Sequence, residues 1–456
     1  MIWLPVILLL IVYIFINNER KRRKFPPGPW PWPLIGNIYQ IDSKNPEKTL
    51  NLWRNKYGKI FTIWIPDPLV VLADGELMDI NFGKPGETFA GRPHSAIMDL
   101  LFKGNYGLMF DENEIYKNQR RFALSTLKNF GFGRNELDPL IIEHAENSLK
   151  TEVGRSINGV VNTKRIFTVA IARVIQKLVF YEDLPDVDKI MRLKIVIENL
   201  FTDWFNPHWM VLESMPWMRH LEKFGIFNFG IQKAAEYNDE FVEFLESQIE
   251  HHKDYLKTNS EPRDYADCFL LEMRKGESPD FNPWQMTIAC YDLWSAGVET
   301  VTCTLQFAVL YLLRHPEIQE KIRVELKTFE QQNLAYTYAN LRTLAYYNAF
   351  FQEIHRLTNV IPFSLTHEML EPAEIEGYKF PAGTCVIAQL ACFNLNPKHF
   401  PEPEKFKPER HLDEQGNLKP DPLLHPFSIG RRSCLGEALA RPELLLVLAT
   451  ILRNYR

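Results

Sequence analysis

The chain has 456 residues, a formal net charge of -5 and 24% charged residues, so there is no overall basic field and nucleic acid is excluded as an expected partner. With 46% hydrophobic and 13% aromatic residues it can bury a large core, which excludes disorder. Six cysteines with no C-x-x-C pair and no zinc-like spacing exclude a disulfide framework, and together with the absence of an N-x-S/T sequon they favour a reducing compartment.

The first sixteen residues are almost wholly aliphatic and aromatic, and the basic cluster Arg20 to Lys24 follows them. A cleaved signal carries its charges before the apolar run, so this order predicts an uncleaved membrane anchor over residues 1–19. At about 1.5 Å per residue the run spans roughly 24 Å, a little short of a ~30 Å hydrocarbon core. The basic cluster places everything after it on the cytosolic side. Residues 20–33 then read as a basic and proline-rich linker, because PPGPWPWP (26–33) has five prolines in eight positions and forbids helix. The body is residues 34–456.

Within the body, KIFTIWI and PLVVLAD (59–74) alternate or run apolar in the manner of strands, and EIEGYKFPAGTCVIAQ (374–389) supplies a second, short β signal. Helical periodicity dominates elsewhere, over roughly 112–130, 138–157, 233–257 and 315–330. The fold class is therefore mainly α with a minor β portion. The most informative helix starts at Asn282 and Pro283 and runs to Arg314, about 48 Å. Between Pro283 and Leu313 its only charges are Asp292 and Glu299, so it must thread the interior. Inside it, AGVET (296–300) places Ala296, Gly297 and Thr300 on one narrow face, which would let a flat, bulky group approach the backbone.

FSIGRRSCLG (427–436) sets Cys434 just before the helical run EALARPELLLVLATIL, with Arg431 and Arg432 preceding it. Helix N-termini and neighbouring cations favour thiolate, the form that binds metal. Gly430 supplies a turn that other residues resist, Phe427 can cover a metal–sulfur bond, and a lone cysteine excludes an iron–sulfur cluster. Taken alone, the loop fits either a metal-ligating thiolate or an inert buried thiol. Pro442, inside the following helix, removes one backbone donor.

With Phe427, Gly430, Arg432, Cys434 and Gly436 fixed, this loop resembles the haem-binding signature of cytochrome P450 monooxygenases. EIHR (353–356), FKPER (406–410) and AGVET stand in that family's order, so the resemblance covers nearly the whole chain. PPGPWPWPLIGN, QRRFALSTLKNFGFG and PRDYADCFLLEM resemble its animal microsomal, family-two-like branch. The resemblance implies the cytochrome P450 fold and haem b, with Cys434 as iron ligand. It implies Arg432, Arg120 and His367 as cations for the haem propionates. Tyr116 stands where relatives place a tryptophan and would donate its hydroxyl, while Gly104 replaces a further arginine of some members. Glu299 and Thr300 would relay protons on the oxygen-binding face, and Glu353, Arg356 and Arg410 would form a buried structural network.

By the same resemblance, one oxygen atom of O2 enters a C–H bond of a lipophilic substrate, a xenobiotic, fatty acid or steroid. Contacts would come from Ile97 to Leu108, FTDWF (201–205), Ala296, Thr300 and VIPFSL (360–365). The chain has neither G-x-G-x-x-G nor a P-loop, so electrons must reach it from a partner. The resemblance implies NADPH and a membrane-bound reductase docking near Arg121, Lys128 and Arg431, at the endoplasmic reticulum membrane with the body in the cytosol. It also implies a β hairpin beyond Arg456, expected here to be missing, and the alternative reading is a non-catalytic or truncated haem-binding relative.

Overall fold

Among the described residues an asparagine side chain followed by proline caps a helix at two places. Asn45 caps α1 (Pro46–Tyr57) and Asn282 caps the long central helix, each side chain accepting the backbone N–H three residues on. The structure, a computed structural model, describes residues 16–17, 19–83, 87–156, 158–204, 207–222, 224–225 and 228–455. The expected anchor, residues 1–19, therefore lies almost entirely outside the described residues.

After α1 come strands β1 (Ile60–Ile65) and β2 (Asp67–Leu72), then helices α2 (Ala96–Phe102), α3 (Asn113–Asn129), α4 (Asp138–Arg155) and α5 (Thr163–Phe180). They are followed by α6 (Val187–Trp204), α7 (Pro207–Ser214), α8 (Ile231–Tyr255), α9 (Tyr265–Lys275), α10 (Pro283–Arg314), α11 (Pro316–Gln331) and α12 (Ala345–Thr358). Short strands β3 (His367–Glu368), β4 (Ala373–Ile375), β5 (Tyr378–Phe380) and β6 (Cys385–Ala388) precede the last helix, α13 (Glu437–Asn454). The protein is mainly helical with a minor β portion.

The main sheet runs β1-β2-β6-β3, and β4 pairs with β5 as a separate hairpin. β1 and β2 are antiparallel, with Ile60 opposite Leu72. β2 and β6 are parallel, with Leu72 opposite Ala388, so residues more than three hundred apart in sequence share one ladder. That pairing brings the segment after β2 against the segment before the cysteine loop. The proline-rich stretch is pinned to this sheet: Thr62 N donates to Pro27 O at 3.2 Å, and a Cβ on Gly28 would stand 1.9 Å from Thr62 O. It is a strap on β1, in the stretch read from the sequence as an extended linker.

Among the described residues α10 alone is long and apolar enough to cross a membrane, yet it is the core helix. It packs along α5 and also against α8, α12 and α13. Gln285 to Asp292 are all buried on it, as are Val301, Thr302, Leu305, Ala308 and Leu312. Gly297 does not belong to an open face. A Cβ there would lie 2.7 Å from Ile175 Cδ1, so the glycine serves the close approach of α10 to α5. The expected small-residue face is reduced to Ala296 and Thr300. α13 continues through Pro442, which is buried.

If Gly297 is there for packing, Gly297→Val will destabilise the protein by about 1–3 kcal/mol. Ile175→Ala in the same chain will recover part of that loss. Thermal melts of the two single variants and the double variant measure both effects, and an unchanged melting temperature in Gly297→Val would remove the contact from the account.

Candidate functional site

The loop before α13 is shaped by two backbone requirements. Gly430 takes φ of +78°, and a Cβ on it would stand 1.9 Å from Phe82 O, so only glycine fits. Cys434 N donates to Phe427 O at 2.8 Å, which folds the loop back and presents the sulfur at the entrance to α13. Backbone N–H groups of Gly436 and Glu437 point at the thiol and pull its pKa down, but burial is the larger effect and pushes it up. Cys434 is nonetheless accessible to solvent. An accessible sulfur closely surrounded by protein borders an internal cleft.

The adjoining arginines do not face that sulfur, contrary to the sequence reading. Arg431 is exposed and pairs with Glu87 at 3.2 Å. Arg432 turns away, its Nε donating to Ala90 O at 2.8 Å and Nη2 to Asp111 O at 2.5 Å. The cation that does lower the thiol pKa is Arg120, whose Nη2 lies 3.4 Å from Ser433 Oγ. In this loop a thiolate therefore depends on a bound metal ion, which deprotonates a coordinating thiol outright.

Arg432 has a buried neighbour that sequence reasoning missed. Arg92 donates from Nε to Met109 O at 3.0 Å and from Nη1 to Thr366 O at 2.8 Å. Among the described residues neither guanidinium forms an ion pair, and Arg432 Nη1 is buried without any partner. Burial and then the nearby Arg432 charge bring Arg92 down to about 9, and burial brings Arg432 down to about 10. Asp111 and Glu112 act on Arg432 only at a distance, so two enclosed cations without an ion pair are costly unless a further anion joins them. In FAGRPHS (89–95) Arg92 reads as one more solvated charge, and only its place between Gly91 and Pro93 hints otherwise.

Tyr116 supports this pair: the Arg432 guanidinium lies 3.3 Å from its ring centroid, and its hydroxyl donates to Arg431 O at 2.5 Å. That hydroxyl is thus committed to the backbone, where the sequence reading left it free for a propionate. His367 also departs from expectation. Its Nδ1 donates to Phe89 O at 2.6 Å, its ring stacks on Phe82 at 4.6 Å, and burial with the Arg92 charge lowers its pKa to about 3. It is a neutral ring whose Nε2 can only accept, so it is not a cation here.

A thiol at a helix start, half-buried Arg120 and two guanidiniums without an ion pair among the described residues fit haem, whose iron would take the sulfur and whose propionates would take the arginines. Phe427 packs edge-on against His355 at 5.5 Å and carries Arg441 at 4.8 Å over its ring. Gly436 has ordinary backbone angles, and a Cβ there would meet only the Cys434 sulfur, at 3.8 Å.

On α10, Thr300 Oγ1 donates to Ala296 O at 2.8 Å, and both residues keep accessible surface although the helix is central. By the reasoning used for Cys434, they border a cleft. Glu299 is paired with Lys194 of α6, a lysine whose side chain is only 1% exposed and which also approaches Glu198 at 3.3 Å. Of the expected substrate contacts, Ile97, Met98, Leu101 and Phe102 are buried, whereas Phe201 and Ile361 are exposed and Phe205 lies outside the described residues.

The last group brought together is centred on Glu353, fully buried on α12. It accepts from Arg356 Nε at 2.7 Å, Arg410 Nε at 3.0 Å, His411 Nε2 at 2.9 Å and Lys407 N at 2.9 Å. Arg356 in turn donates to Asn394 O at 2.7 Å and Pro403 O at 2.8 Å. The carboxylate thus ties α12 to the segment that leads into the cysteine loop. These hydrogen bonds outweigh burial and hold its pKa at about 2.

A family model for cytochrome P450 matches residues 26–456, and the chain belongs to that family. It is 36% identical over 430 residues to a probable cytochrome P450, CYP36A1, of Caenorhabditis elegans, covering 93% of this chain and 87% of the relative. It is 33% identical to cytochromes P450 2C16 and 2C5 of Oryctolagus cuniculus, covering 93% of this chain and 86% of each. The resemblance to the animal microsomal branch holds, and the chain is a haem monooxygenase in general class.

Glu353 gives a prediction with a defined sign. Its folded pKa of about 2 lies below the ordinary 4.5, so its stabilisation is complete above pH 4.5 and is lost as pH falls through about 2. Glu353→Gln will cost about 3 kcal/mol or more at pH 7, in line with breaking a buried pair. Denaturant titrations from pH 7 to pH 2.5 will show the difference from the unsubstituted chain shrinking with acid; a constant difference would remove the charge from the explanation.

Proposed function

We propose that the chain is a haem-thiolate monooxygenase of the endoplasmic reticulum membrane, with its body facing the cytosol. It inserts one oxygen atom of O2 into a lipophilic small molecule, a xenobiotic, fatty acid or steroid, using electrons from NADPH delivered by a reductase. The observation that carries this reading is an accessible thiol at a helix start, in a body that also holds two guanidiniums, one buried and one half-buried, with no ion pair among the described residues. Kinship to microsomal relatives supports the membrane and the reductase.

Cys434 would ligate the iron, with the N–H groups of Gly436 and Glu437 holding the sulfur's charge. Arg92, Arg432 and Arg120 would hold the propionates, and the ring of Tyr116 would keep the Arg432 guanidinium flat. When bound, haem b would supply the iron chemistry that activates dioxygen, and thiolate ligation by Cys434 would favour cleavage of the O–O bond. Thr300 Oγ1, bonded to Ala296 O until a better acceptor arrives, would donate a proton, and a proton from solvent, relayed through the Glu299 carboxylate that Lys194 positions, would replace it. Apolar residues around the cleft would exclude water and select a lipophilic substrate. Arg121, Lys128 and Arg431 are exposed, which makes them available to an acidic reductase surface.

The test is the carbon monoxide difference spectrum of the reduced chain, with Cys434→Ser alongside. A red-shifted, thiolate-type Soret band in the unsubstituted chain and its loss in the variant are expected; no such band in either would sink the haem-thiolate reading. Oxygenated product from a lipophilic panel, formed only with NADPH and reductase, then tests the electron route.

A further inference from the structure

A second cavity, of about 250 Å³, opens beside the start of α10 and is bordered by Asn105, Tyr106, Asp111, Ile115, Asp280 and Gln285. The established haem chemistry uses none of these side chains. A water molecule takes about 30 Å³ in the liquid, so the space admits a molecule of several heavy atoms.

Its wall carries two carboxylates and an amide oxygen as acceptors, beside the Tyr106 hydroxyl and the Asn282 amide. Asp111 is 2% exposed and its carboxyl has one side-chain donor, Gln285 Nε2. Asp280 accepts from Asn118 Nδ2 at 2.7 Å. Asn105 spends its amide N–H groups on Glu112, at 2.6 Å, and on Pro93 O, which leaves its own buried oxygen without a partner. The one lysine at the rim, Lys103, has its ammonium 4.0 Å from the Trp284 ring centroid and forms no ion pair among the described residues. Two carboxylates and an unpaired amide oxygen are thus gathered in a partly enclosed space, with the Lys103 ammonium turned to the Trp284 ring at its rim.

The flanks decide which donor fits. Tyr106 and Ile115 give the cavity an aromatic and an aliphatic wall, which a bare metal ion does not use. Among the described residues the trio of His, Cys, Asp or Glu groups within joint ligating distance is His252, Asp264 and Asp267, elsewhere in the fold. We infer that this cavity is a binding site for a small organic cation, a protonated amine or guanidinium, held between the Asp111 and Asp280 carboxylates. Asp111 O also accepts from Arg432 Nη2, so the occupant sits directly behind the arginine cradle of the cysteine loop.

Binding of such a cation depends on pH through Asp111. Burial first, with Asp280 and Glu112 adding to it, pushes that carboxyl up to about 7, against the pull of Gln285 and Arg432; buried Asp292 lies close enough to interact with it. A cation prefers the ionised form, so affinity rises with pH.

Methylguanidinium is the probe, because it stays charged throughout the range, and neutral N-methylurea has the same shape. Calorimetric titration of the purified full chain will give saturable binding of methylguanidinium, about tenfold tighter at pH 8 than at pH 6 as Asp111 ionises. N-methylurea will not bind. Asp111→Asn and Asp280→Asn will each weaken binding, and Asp111→Asn will also flatten its pH dependence; should one variant fail to fold, the other decides. Absence of saturable binding at pH 8, equal binding of N-methylurea, or unchanged affinity in the folded variants overturns the proposal.

Discussion

Arg92 is buried with Arg432 half-buried beside it, near enough to lower the basicity of Arg92, and among the described residues neither forms an ion pair, although the Asp111 and Glu112 charges act on Arg432. Much of the local architecture is explained as support for this unfavourable pair. Carbonyl oxygens of Ala90, Met109, Asp111 and Thr366 accept from the two guanidiniums, and the Tyr116 ring lies against Arg432. Carbonyl groups stabilise a cation without neutralising it, so the positive potential survives in a protein interior where charge interactions are strong. A dianionic, flat cofactor with its carboxylates on one edge matches that potential.

The fold delivers these groups from distant parts of the chain. The parallel pairing of β2 with β6 joins the segment that carries Arg92 to the segment that leads to the cysteine loop. Glu353 fixes the other side, because Arg356 of α12 and residues 407–411 converge on its carboxylate. Gly430 passes so close to Phe82 O that the loop can sit only where it does. Lys194 adds a link between α6 and the AGVET stretch of α10 through Glu299. A change at any of these points would reach Cys434 through packed elements, without touching the sulfur.

Local signals were legible in the sequence where chemistry is local. Asn282 with Pro283 marks the start of α10, and the apolar runs mark β1 and β2, because capping and periodicity act over a few residues. The cysteine loop was legible because turn, sulfur and helix start are contiguous. Direction in space was not. Arg431 and Arg432 adjoin Cys434 in sequence but point elsewhere, and Gly297 faces Ile175 where an open face was expected. His367 is a cation by residue type but neutral once enclosed beside Arg92. Arg92 itself carries no periodic or motif signal, since its role comes from burial, which only the assembled fold decides.

The central claim is that the two unpaired guanidiniums exist to hold an anionic cofactor edge, and haem stoichiometry tests it most directly. The purified chain, the Arg92→Leu and Arg432→Leu variants and the double variant would be assayed for haem per polypeptide by the pyridine haemochromogen method, with helicity checked by circular dichroism. The account predicts about one haem per unsubstituted chain, a clear loss in each single variant and little haem in a still helical double variant. A double variant that retains a full complement of haem would contradict it.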